Sequence, residues 1–282
     1  MDAYEHLRYE QDGPVTVITI DRAERMNAIG PQAHRELVAA WSRFRDDDDQ
    51  LVAVLTGSGT EAFCAGGDLK AAFAGEGLVP EDEAERDAHA RGERPGILGP
   101  SRWTDLHKPT IAAVNGVAYA GGLEWACWTD MAIADDHATF GVTCRRWNIG
   151  LADGGTQRLP RIVGYRRAME LIVTGRVIDA DEALRIGLVN EIVPSGTCVG
   201  RAVELAHRIA ALPQPAIHTD HEAVVRGFGL PLDEGLRVEA ECFNRLLDSP
   251  EIREGLRRFN ERDHPDRAAD AAPVTPGLAR RG

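Results

Sequence analysis

Two Gly-Gly turns, each leading into a helical pattern, are the segments of this sequence best suited to chemistry. The first is Phe-Cys-Ala-Gly-Gly-Asp-Leu-Lys over residues 63–70, and the second is Ala-Tyr-Ala-Gly-Gly-Leu-Glu over residues 118–124. Small residues let a ligand approach the backbone, and N–H groups at a helix start can hold a negatively charged oxygen. Two such turns could supply two N–H donors to one oxygen, as an oxyanion hole does. The first turn, taken alone, is equally well explained as a tight strand-to-helix connection.

Glu124 stands out because it is a lone charge in an apolar stretch. Leu123 precedes it, and the run Trp-Ala-Cys-Trp over residues 125–128 follows it. Burying an isolated carboxylate is costly, so the group must either raise its pKa or find a partner. The sequence therefore predicts a buried acid that serves either in proton transfer or as a structural cap or ion-pair partner.

Other chemical classes have little support in the sequence. Neither Gly-Gly turn is followed by Lys-Ser or Lys-Thr, and neither fits G-x-G-x-x-G, so nucleotide-binding loops are not indicated. No G-x-S-x-G elbow supports acyl-serine chemistry. His218 and His221 could share one helix face, but no third ligand is evident. We therefore expect a solvated helix face there and no metal site.

Composition narrows the classes of partner. The net charge of −13 argues against nucleic acid and against an anionic membrane surface. No apolar run approaches the roughly 20 residues that a membrane-spanning helix needs, and the first residues lack an export signal. The five cysteines form no close C-x-x-C pair, which indicates reduced thiols. We expect a cytoplasmic protein.

The elements that must position the two turns are short strands alternating with helices. Strands are predicted at residues 6–10, 14–20, 51–56, 110–114, 130–134 and 188–193, and a helix is predicted at 31–45. This alternation is typical of an α/β fold in which both faces of a sheet are covered. Residues 75–100 are rich in Gly, Glu, Asp and Pro, and are expected to form a loosely ordered loop.

After residue 195 the pattern changes to helices with no strand between them. The helical stretches are residues 198–212, 214–227, 232–248 and 250–262. We therefore predict a core over residues 1–197 and a helical C-terminal region over 198–265. Residues 266–282 offer little to bury and are expected to be a disordered tail.

Five segments, in order along the chain, resemble the enoyl-CoA hydratase/isomerase (crotonase) family. They are the Asp-Arg…Asn-Ala segment at 21–28, the two Gly-Gly turns with their flanks at 63–69 and 108–124, the Gly-Gly-Thr-Gln-Arg-Leu-Pro segment from 154 with its continuation to 189, and the Glu-Gly…Phe-Asn-Glu-Arg segment at 254–262. The resemblance as a whole covers about residues 5–265, nearly the whole chain. Each is modest support alone, but their common order makes the resemblance strong.

The resemblance implies a crotonase-like spiral of ββα units, followed by a helical C-terminal region that packs between subunits. It implies a homotrimer or homohexamer and an acyl-CoA thioester as ligand. Coenzyme A would be part of the substrate, with no separate cofactor and no metal. The loop at 75–100 would be the variable flap over the acyl pocket.

The family's two oxyanion donors correspond to the backbone N–H groups of Gly67 and Gly121. The remaining residues that the resemblance implies for substrate binding are Arg25, Met26, Ala28, Ala65, Gly66, Asp68, Leu69, Val117, Cys144, Trp147, Phe259 and Arg262. Phe259 and Arg262 would contact the adenine end of the ligand, often that of a neighbouring subunit.

Glu124 matches one of the two catalytic glutamates of the family's hydratases. A buried carboxylate beside an oxyanion hole can hold a water molecule and exchange its proton. The second glutamate is missing, because its usual position falls at Cys144. A thiol with a reference pKa of about 8.5 is mostly protonated at neutral pH and orients water poorly. We therefore expect Cys144 only to pack.

Asp153, in the run Gly-Leu-Ala-Asp-Gly-Gly over residues 150–155, is an acid close to the expected site. Some isomerases of the family and a dehalogenase place their working carboxylate in this turn. An Asp before a Gly-Gly helix start could equally be an N-cap. Both the catalytic and the capping interpretation stay open.

Three functional hypotheses follow. The first is a hydro-lyase that adds water to a 2-enoyl-CoA, with Glu124 as the main acid–base group and Asp153 as a helper. The second is a 3-enoyl/2-enoyl-CoA isomerase, which needs only one carboxylate. The third is a non-catalytic acyl-CoA binding protein. The first is favoured because hydration is the family's commonest activity.

Overall fold

The structure of this protein is a computed structural model that describes residues 4–76, 82–247 and 249–261. The chain divides into two compact units, Met1–Ala210 and Ala211–Gly282. The predicted tail over residues 266–282 lies outside the described residues.

The first unit is built on two sheets. Its strands are β1 (Leu7–Asp12), β2 (Val15–Ile20), β3 (Val52–Gly57), β4 (Ala62–Cys64), β5 (Thr110–Val114), β6 (Val117–Tyr119), β7 (Met131–Asp135), β8 (Thr139–Gly141), β9 (Val177–Asp179) and β10 (Glu191–Val193). One sheet has the order β1-β2-β3-β5-β7-β10, and the other has the order β4-β6-β8-β9. Among the strand pairs that the structure describes, β1–β2 and β8–β9 are antiparallel and the others are parallel. Along the chain β4, β6 and β8 directly follow β3, β5 and β7 of the six-stranded sheet, and with β9 they form the second sheet.

Helices cover these sheets. In the first unit they are α1 (Pro31–Asp46), α2 (Leu69–Phe73), α3 (Glu83–Ala90), α4 (Gly121–Trp128), α5 (Gly155–Val163), α6 (Tyr165–Thr174), α7 (Ala180–Arg185) and α8 (Cys198–Ala210). Proline at the first position of α1 suits a helix start, because its missing N–H would have no intrahelical partner. Trp41 and Phe44 of α1 are fully buried in the main core.

The six-stranded sheet is covered on both faces, as the sequence predicts. Every residue of β3 is buried, and side chains alternate between the faces of a strand. Ala53 and Leu55 accordingly join the main core, whereas Val52 and Val54 pack in a second cluster. Alternation between two cores explains why a strand buried on both sides appears in the sequence as a continuous apolar run.

The boundary between the units differs from the predicted one. Cys198, Ala202 and Ala206 of α8 are buried against the six-stranded sheet, in the same cluster as Val52 and Val54. The division therefore falls after Ala210, because α8 completes the cover of the sheet. The helical pattern marks α8 correctly but carries no information about its packing partner.

The described residues of the second unit form helices joined by short turns, with no strand among them. It contains α9 (Gln214–Gly227), α10 (Leu232–Leu247) and α11 (Pro250–Asn260). Arg226 of α9 pairs with Glu222 on its own helix and with Glu241 on α10. Cys242 of α10 is buried within this region.

The segment over residues 75–100, predicted as a loosely ordered loop, contains a helix. Residues 77–81 lie outside the described residues, and α3 follows them. Asp82 caps α3 by accepting a hydrogen bond from the N–H of Glu85, and acidic residues occupy its first turn. Such residues favour a helix start because the N-terminal end carries partial positive charge.

Candidate active site

A continuous cavity of about 290 Å³ lies in the first unit and collects half of the site residues that the sequence analysis names. Its lining is largely hydrocarbon, with carboxylates at Glu124 and Asp153. The lining residues are Ala65, Gly67, Leu69, Ala72, Ile97, Leu98, Ala120, Gly121, Glu124, Thr143, Cys144, Trp147, Ile149, Gly150, Leu151, Ala152 and Asp153.

In the first Gly-Gly turn the backbone N–H of Gly67 points away from Ile29, the residue to which the turn is hydrogen-bonded. The N–H of Ile29 donates to the carbonyl of Gly66 at 2.8 Å, and the N–H of Asp68 donates to the carbonyl of Ile29 at 2.9 Å. In a trans peptide the C=O and N–H point in opposite directions. Because the Gly66 carbonyl points at Ile29, the Gly67 N–H of the same peptide points the other way. Gly67 is one of the residues that line the cavity.

The second turn directs the N–H of Gly121 outward from the start of α4. The carbonyl of Ala120 accepts the first intrahelical hydrogen bond, from the N–H of Glu124 at 3.1 Å. The opposite end of that peptide, the N–H of Gly121, therefore points out of the helix, where no intrahelical acceptor exists. Ala120 holds a positive φ of 49°, a strained conformation that often marks functional backbone.

The two turns are in contact with each other. Gly66 has a φ of +97°, and a Cβ built on it would lie 2.9 Å from the backbone nitrogen of Gly121. A Cβ on Gly122 would lie 1.9 Å from the carbonyl oxygen of Cys64. Side chains at either glycine would separate the turns. The glycines are therefore required for the close approach that brings both N–H groups to one cavity.

Glu124 is buried at the cavity, with only 3% of its surface exposed. Its Oε1 accepts hydrogen bonds from the N–H groups of Asp153 at 2.9 Å and Gly155 at 2.8 Å. Burial, reinforced by the nearby charge of Asp153, raises the pKa of Glu124 to about 7. A carboxyl group with this pKa is present in both protonation states at neutral pH, which suits acid–base chemistry.

Asp153 is also buried at the cavity, but its carboxylate is engaged with the chain. Its Oδ1 accepts hydrogen bonds from the N–H groups of Ile97 at 2.8 Å and Leu98 at 3.1 Å, and from the hydroxyl of Ser101. These donors lie more than fifty positions away in the sequence. The helix that follows, α5, has no side-chain cap, so the predicted N-cap is wrong, and the side chain instead anchors a distant loop. The catalytic role of Asp153 stays a prediction.

Cys144 lies in a short 3₁₀ helix, Thr143–Trp147, and lines the cavity. Burial raises the pKa of its thiol, and the charge of Glu124 acts in the same direction. The thiol is therefore protonated at neutral pH and cannot serve as a base in place of the family's second glutamate.

The cavity brings together part of the predicted binding set. Besides the residues already described, Ala65, Leu69 and Trp147 line it, whereas Arg25, Met26, Ala28, Gly66, Asp68 and Val117 do not. Asp68 instead caps α2 and pairs with Arg22 at 3.1 Å, which fastens the first turn to the preceding loop. Phe259 lies in the second unit, and Arg262 lies outside the described residues.

The sequence analysis did not name Ile97, Leu98 and Ser101 as site residues, although Ile97 and Leu98 fall within the segment 75–100 that the resemblance implies as a flap over the acyl pocket. No motif marks any of the three individually. Arg158 was also missed. Its guanidinium donates to the carbonyls of Ser101 at 2.7 Å and Asp153 at 3.0 Å. Only the folded chain reveals these contacts, because they join segments distant in sequence.

Within residues 4–76, 82–247 and 249–261, no group of His, Cys, Asp and Glu side chains is arranged to hold a metal ion. None of the helices in the same part of the chain is long and apolar enough to cross a membrane.

Two outward N–H groups at an apolar cavity, beside a carboxyl group with a near-neutral pKa, suit an α/β enzyme that stabilises a developing oxyanion. Comparison with known proteins is consistent with this class. The sequence model described as Enoyl-CoA hydratase/isomerase matches residues 10–268, and the chain belongs to that family. The resemblance inferred from the five segments is confirmed.

Curated relatives match along nearly their whole length. The (E)-benzylidenesuccinyl-CoA hydratase of Thauera aromatica is 35% identical over 256 residues, which cover 91% of this chain and 96% of that protein. The short-chain-enoyl-CoA hydratase of Clostridium acetobutylicum is 35% identical, with coverage of 90% and 94%.

Solved structures confirm the crotonase-like fold. An enoyl-CoA hydratase from Mycobacterium tuberculosis H37Rv superposes with a TM-score of 0.82 at 32% identity, covering 91% of this chain and 96% of that one. An enoyl-CoA hydratase from Bacillus anthracis gives a TM-score of 0.81 at 32% identity, with coverage of 92% and 97%. The protein is therefore an enzyme of this family with the family's fold.

Proposed function

We propose that this enzyme is an enoyl-CoA hydratase that adds water across the double bond of a 2-enoyl-CoA. The observation that carries the proposal is Glu124, which is buried, has a pKa of about 7 and lies in the same cavity as the two turns that present Gly67 and Gly121. Relatives named as hydratases favour water addition over double-bond isomerisation or binding alone.

In the proposed reaction the thioester oxygen accepts hydrogen bonds from the N–H groups of Gly67 and Gly121. Glu124 as carboxylate takes a proton from water while the water oxygen bonds to C3. The electrons of the C2–C3 double bond move toward the thioester oxygen, which carries the enolate charge. Glu124 then returns a proton to C2, and the enolate reverts to a thioester. One carboxylate thus completes the addition of one water molecule.

The substrate is proposed to be a neutral, largely apolar acyl group on coenzyme A. Ile97, Leu98 and Leu151 give the cavity hydrocarbon walls, and the ionisable side chains that line it are Glu124, Asp153 and the thiol of Cys144. Coenzyme A enters as part of the substrate, and no other cofactor is required by the steps above. We place the enzyme in the cytoplasm, with neither nucleic acid nor membrane as a partner.

The coenzyme A arm is proposed to follow the first turn. The residues assigned to it are Arg25, Met26, Ala28, Ala65, Gly66, Asp68 and Leu69, with Val117 near the second turn and Phe259 and Arg262 at the adenine end. Support comes from the family pattern and from the hydrogen bond between the N–H of Ala65 and the carbonyl of Met26, at 3.0 Å, which joins these two segments.

We propose a homotrimer or homohexamer as the assembly. Leu232, Leu236, Phe243 and Leu247 of α10 are exposed, and their spacing puts them on one face of the helix. Exposed apolar helix faces of this kind mark contact surfaces. Sedimentation velocity at micromolar concentration should show a trimer or hexamer, and a monomer alone would refute this assembly.

The hydratase proposal is tested by the absorbance of the conjugated thioester. Adding 2-butenoyl-CoA should cause the conjugated band to fall as the 3-hydroxyacyl product forms. Adding 3-butenoyl-CoA should cause no rise in the band, whereas an isomerase would create it. If neither substrate changes and butyryl-CoA still binds by calorimetry, the protein is a binding protein and the proposal fails.

A further inference from the structure

One side of the cavity is formed by residues 95–103, here called the wall segment, which places Ile97 and Leu98 in the lining. Its backbone is held by side chains from other elements. Trp125 of α4 donates from Nε1 to the carbonyl of Leu98 at 3.0 Å. The Nδ1 of His34 on α1 lies 2.9 Å from the carbonyl oxygen of Ile97 and 2.9 Å from the nitrogen of Gly99.

Asp153 connects the wall segment to Glu124, the proposed acid–base group. Its Oδ1 holds the N–H groups of Ile97 and Leu98 and the hydroxyl of Ser101, while its own backbone N–H donates to Glu124 at 2.9 Å. One residue thus contacts both the acyl wall and the proposed acid–base group.

The wall segment packs so closely against Asp153 that no side chain fits at Gly96. A Cβ built on Gly96 would lie 2.4 Å from Oγ of Ser101 and 2.8 Å from Oδ1 of Asp153. Arg158 closes the other side, because its Nη1 donates to the carbonyls of both Ser101 and Asp153. Ser101 of the wall segment is therefore held twice, through its carbonyl by Arg158 and through its hydroxyl by Asp153.

We propose that Asp153 is a positioning residue, which fixes the acyl wall at Ile97 and Leu98 relative to Glu124 and does not itself exchange protons with the substrate. The inference rests on the proposed function, because it assigns the wall to the acyl group of a thioester. In this proposal Asp153 holds the wall segment in position and is not a second acid. Displacing a substrate by about 1 Å can cost roughly 100-fold in rate, which is the effect that such a clamp prevents.

The charge of Asp153 also acts on Glu124 through space. The ionisable groups that face Glu124 are Asp153, Arg158, Cys127 and Cys144. Asp153 raises the pKa of Glu124, second to the effect of burial. Removing that charge should move the pH profile of kcat/KM to lower pH. Burial lowers the pKa of His34, the side chain that contacts the wall segment from α1.

The test compares Asp153→Asn, Asp153→Ala and Ser101→Ala. Asparagine keeps an acceptor for the wall N–H groups and loses the charge, so kcat/KM should fall by only about tenfold or less, with the profile moved to lower pH. Alanine loses the clamp, so kcat/KM should fall roughly 100-fold. Hydrogen–deuterium exchange in residues 95–103 should accelerate in the alanine variant and, more weakly, in Ser101→Ala.

Asp135→Asn is the matched control. Asp135 is a fully buried carboxylate that accepts hydrogen bonds from the N–H groups of Gly196, Thr197 and Cys198, at the start of α8. This variant should lower the melting temperature while leaving the exchange of the wall segment and the pH profile of kcat/KM unchanged.

Equal, near-complete loss of turnover in Asp153→Asn and Asp153→Ala, with wall exchange unchanged, would make Asp153 a direct acid–base group and overturn the proposal. If Asp153→Ala does not fold, the asparagine and Ser101 variants decide the same question. Exchange is measured without turnover, so it tests the clamp even if the wild type hydrates no thioester. A wild type that hydrates no thioester would refute only the proposed function.

Discussion

Replacing Glu124 with glutamine should remove activity and increase stability at the same time. The pKa of Glu124 rises from 4.5 to about 7 on folding, which corresponds to roughly 3 kcal/mol, since one pKa unit is about 1.4 kcal/mol. Between these two values the folded state binds a proton that the unfolded state has released. The contribution of Glu124 to the stability of the wild type is therefore fully present below pH about 4.5 and is lost as the pH rises through about 7.

The glutamine side chain avoids this loss because it carries no proton to release. Its amide oxygen can still accept from the N–H groups of Asp153 and Gly155, which hold Oε1 in the wild type. At pH 8 we expect Glu124→Gln to be more stable by about 3 kcal/mol, or roughly 6 °C or more in melting temperature for a unit of this size. The gain should shrink as the pH is lowered toward 4.5. Turnover should be lost while butyryl-CoA still binds.

Melting curves at pH 5 and pH 8, for the wild type and the variant, measure the difference directly. Glu36→Gln is a suitable control, because the buried Glu36 carboxylate accepts from the N–H groups of Glu5 and His6. Losing these charge-assisted hydrogen bonds should lower the melting temperature at both pH values. A Glu124→Gln variant that is less stable than the wild type at pH 8, or that gains equally at both values, would refute the electrostatic argument.

The remaining predictions concern the oxyanion donors and the missing glutamate. Gly67→Pro removes one N–H, and we expect kcat/KM to fall about 100-fold or more, against a Gly200→Ala control, where a Cβ meets nothing within 4 Å. Full activity in a folded Gly67→Pro enzyme would exclude Gly67 as a donor. Cys144→Ala should stay within about twofold of the wild-type rate, because a packed neutral thiol contributes little beyond its volume. Cys144→Glu should lower the rate at pH 7 and move the profile of kcat/KM to higher pH. A faster enzyme would show that a second carboxylate can still work here.

Periodicity and motifs predicted the elements that surround the site. The spacing of Leu37, Ala40, Trp41 and Phe44 predicted α1, and all of these side chains are buried. The continuous apolar run at 51–56 predicted β3. These signals are local, because they depend on the repeat of a helix or a strand, and they persist whatever the element packs against.

Contacts between distant segments were not predictable in the same way. Asp153 precedes two glycines at a helix start, which suggests a helix cap. Its carboxylate instead accepts hydrogen bonds from the N–H groups of Ile97 and Leu98. The sequence between them gives no sign of this pairing. The packing of α8 onto the sheet escaped for the same reason, since an apolar stripe on a helix does not identify the surface that it covers.

The substitution at Cys144 is best understood by counting charges in the cavity. Burial already raises the pKa of Glu124, and the charge of Asp153 raises it further. A third carboxylate at position 144 would add like-charge repulsion and raise the pKa of Glu124 above about 7, which would leave less of the ionised form at neutral pH. A neutral thiol avoids that penalty. Burial, with a smaller contribution from the charge of Asp153, raises the pKa of Glu124 to about 7, a value at which one carboxyl group can accept a proton from water and return a proton to carbon.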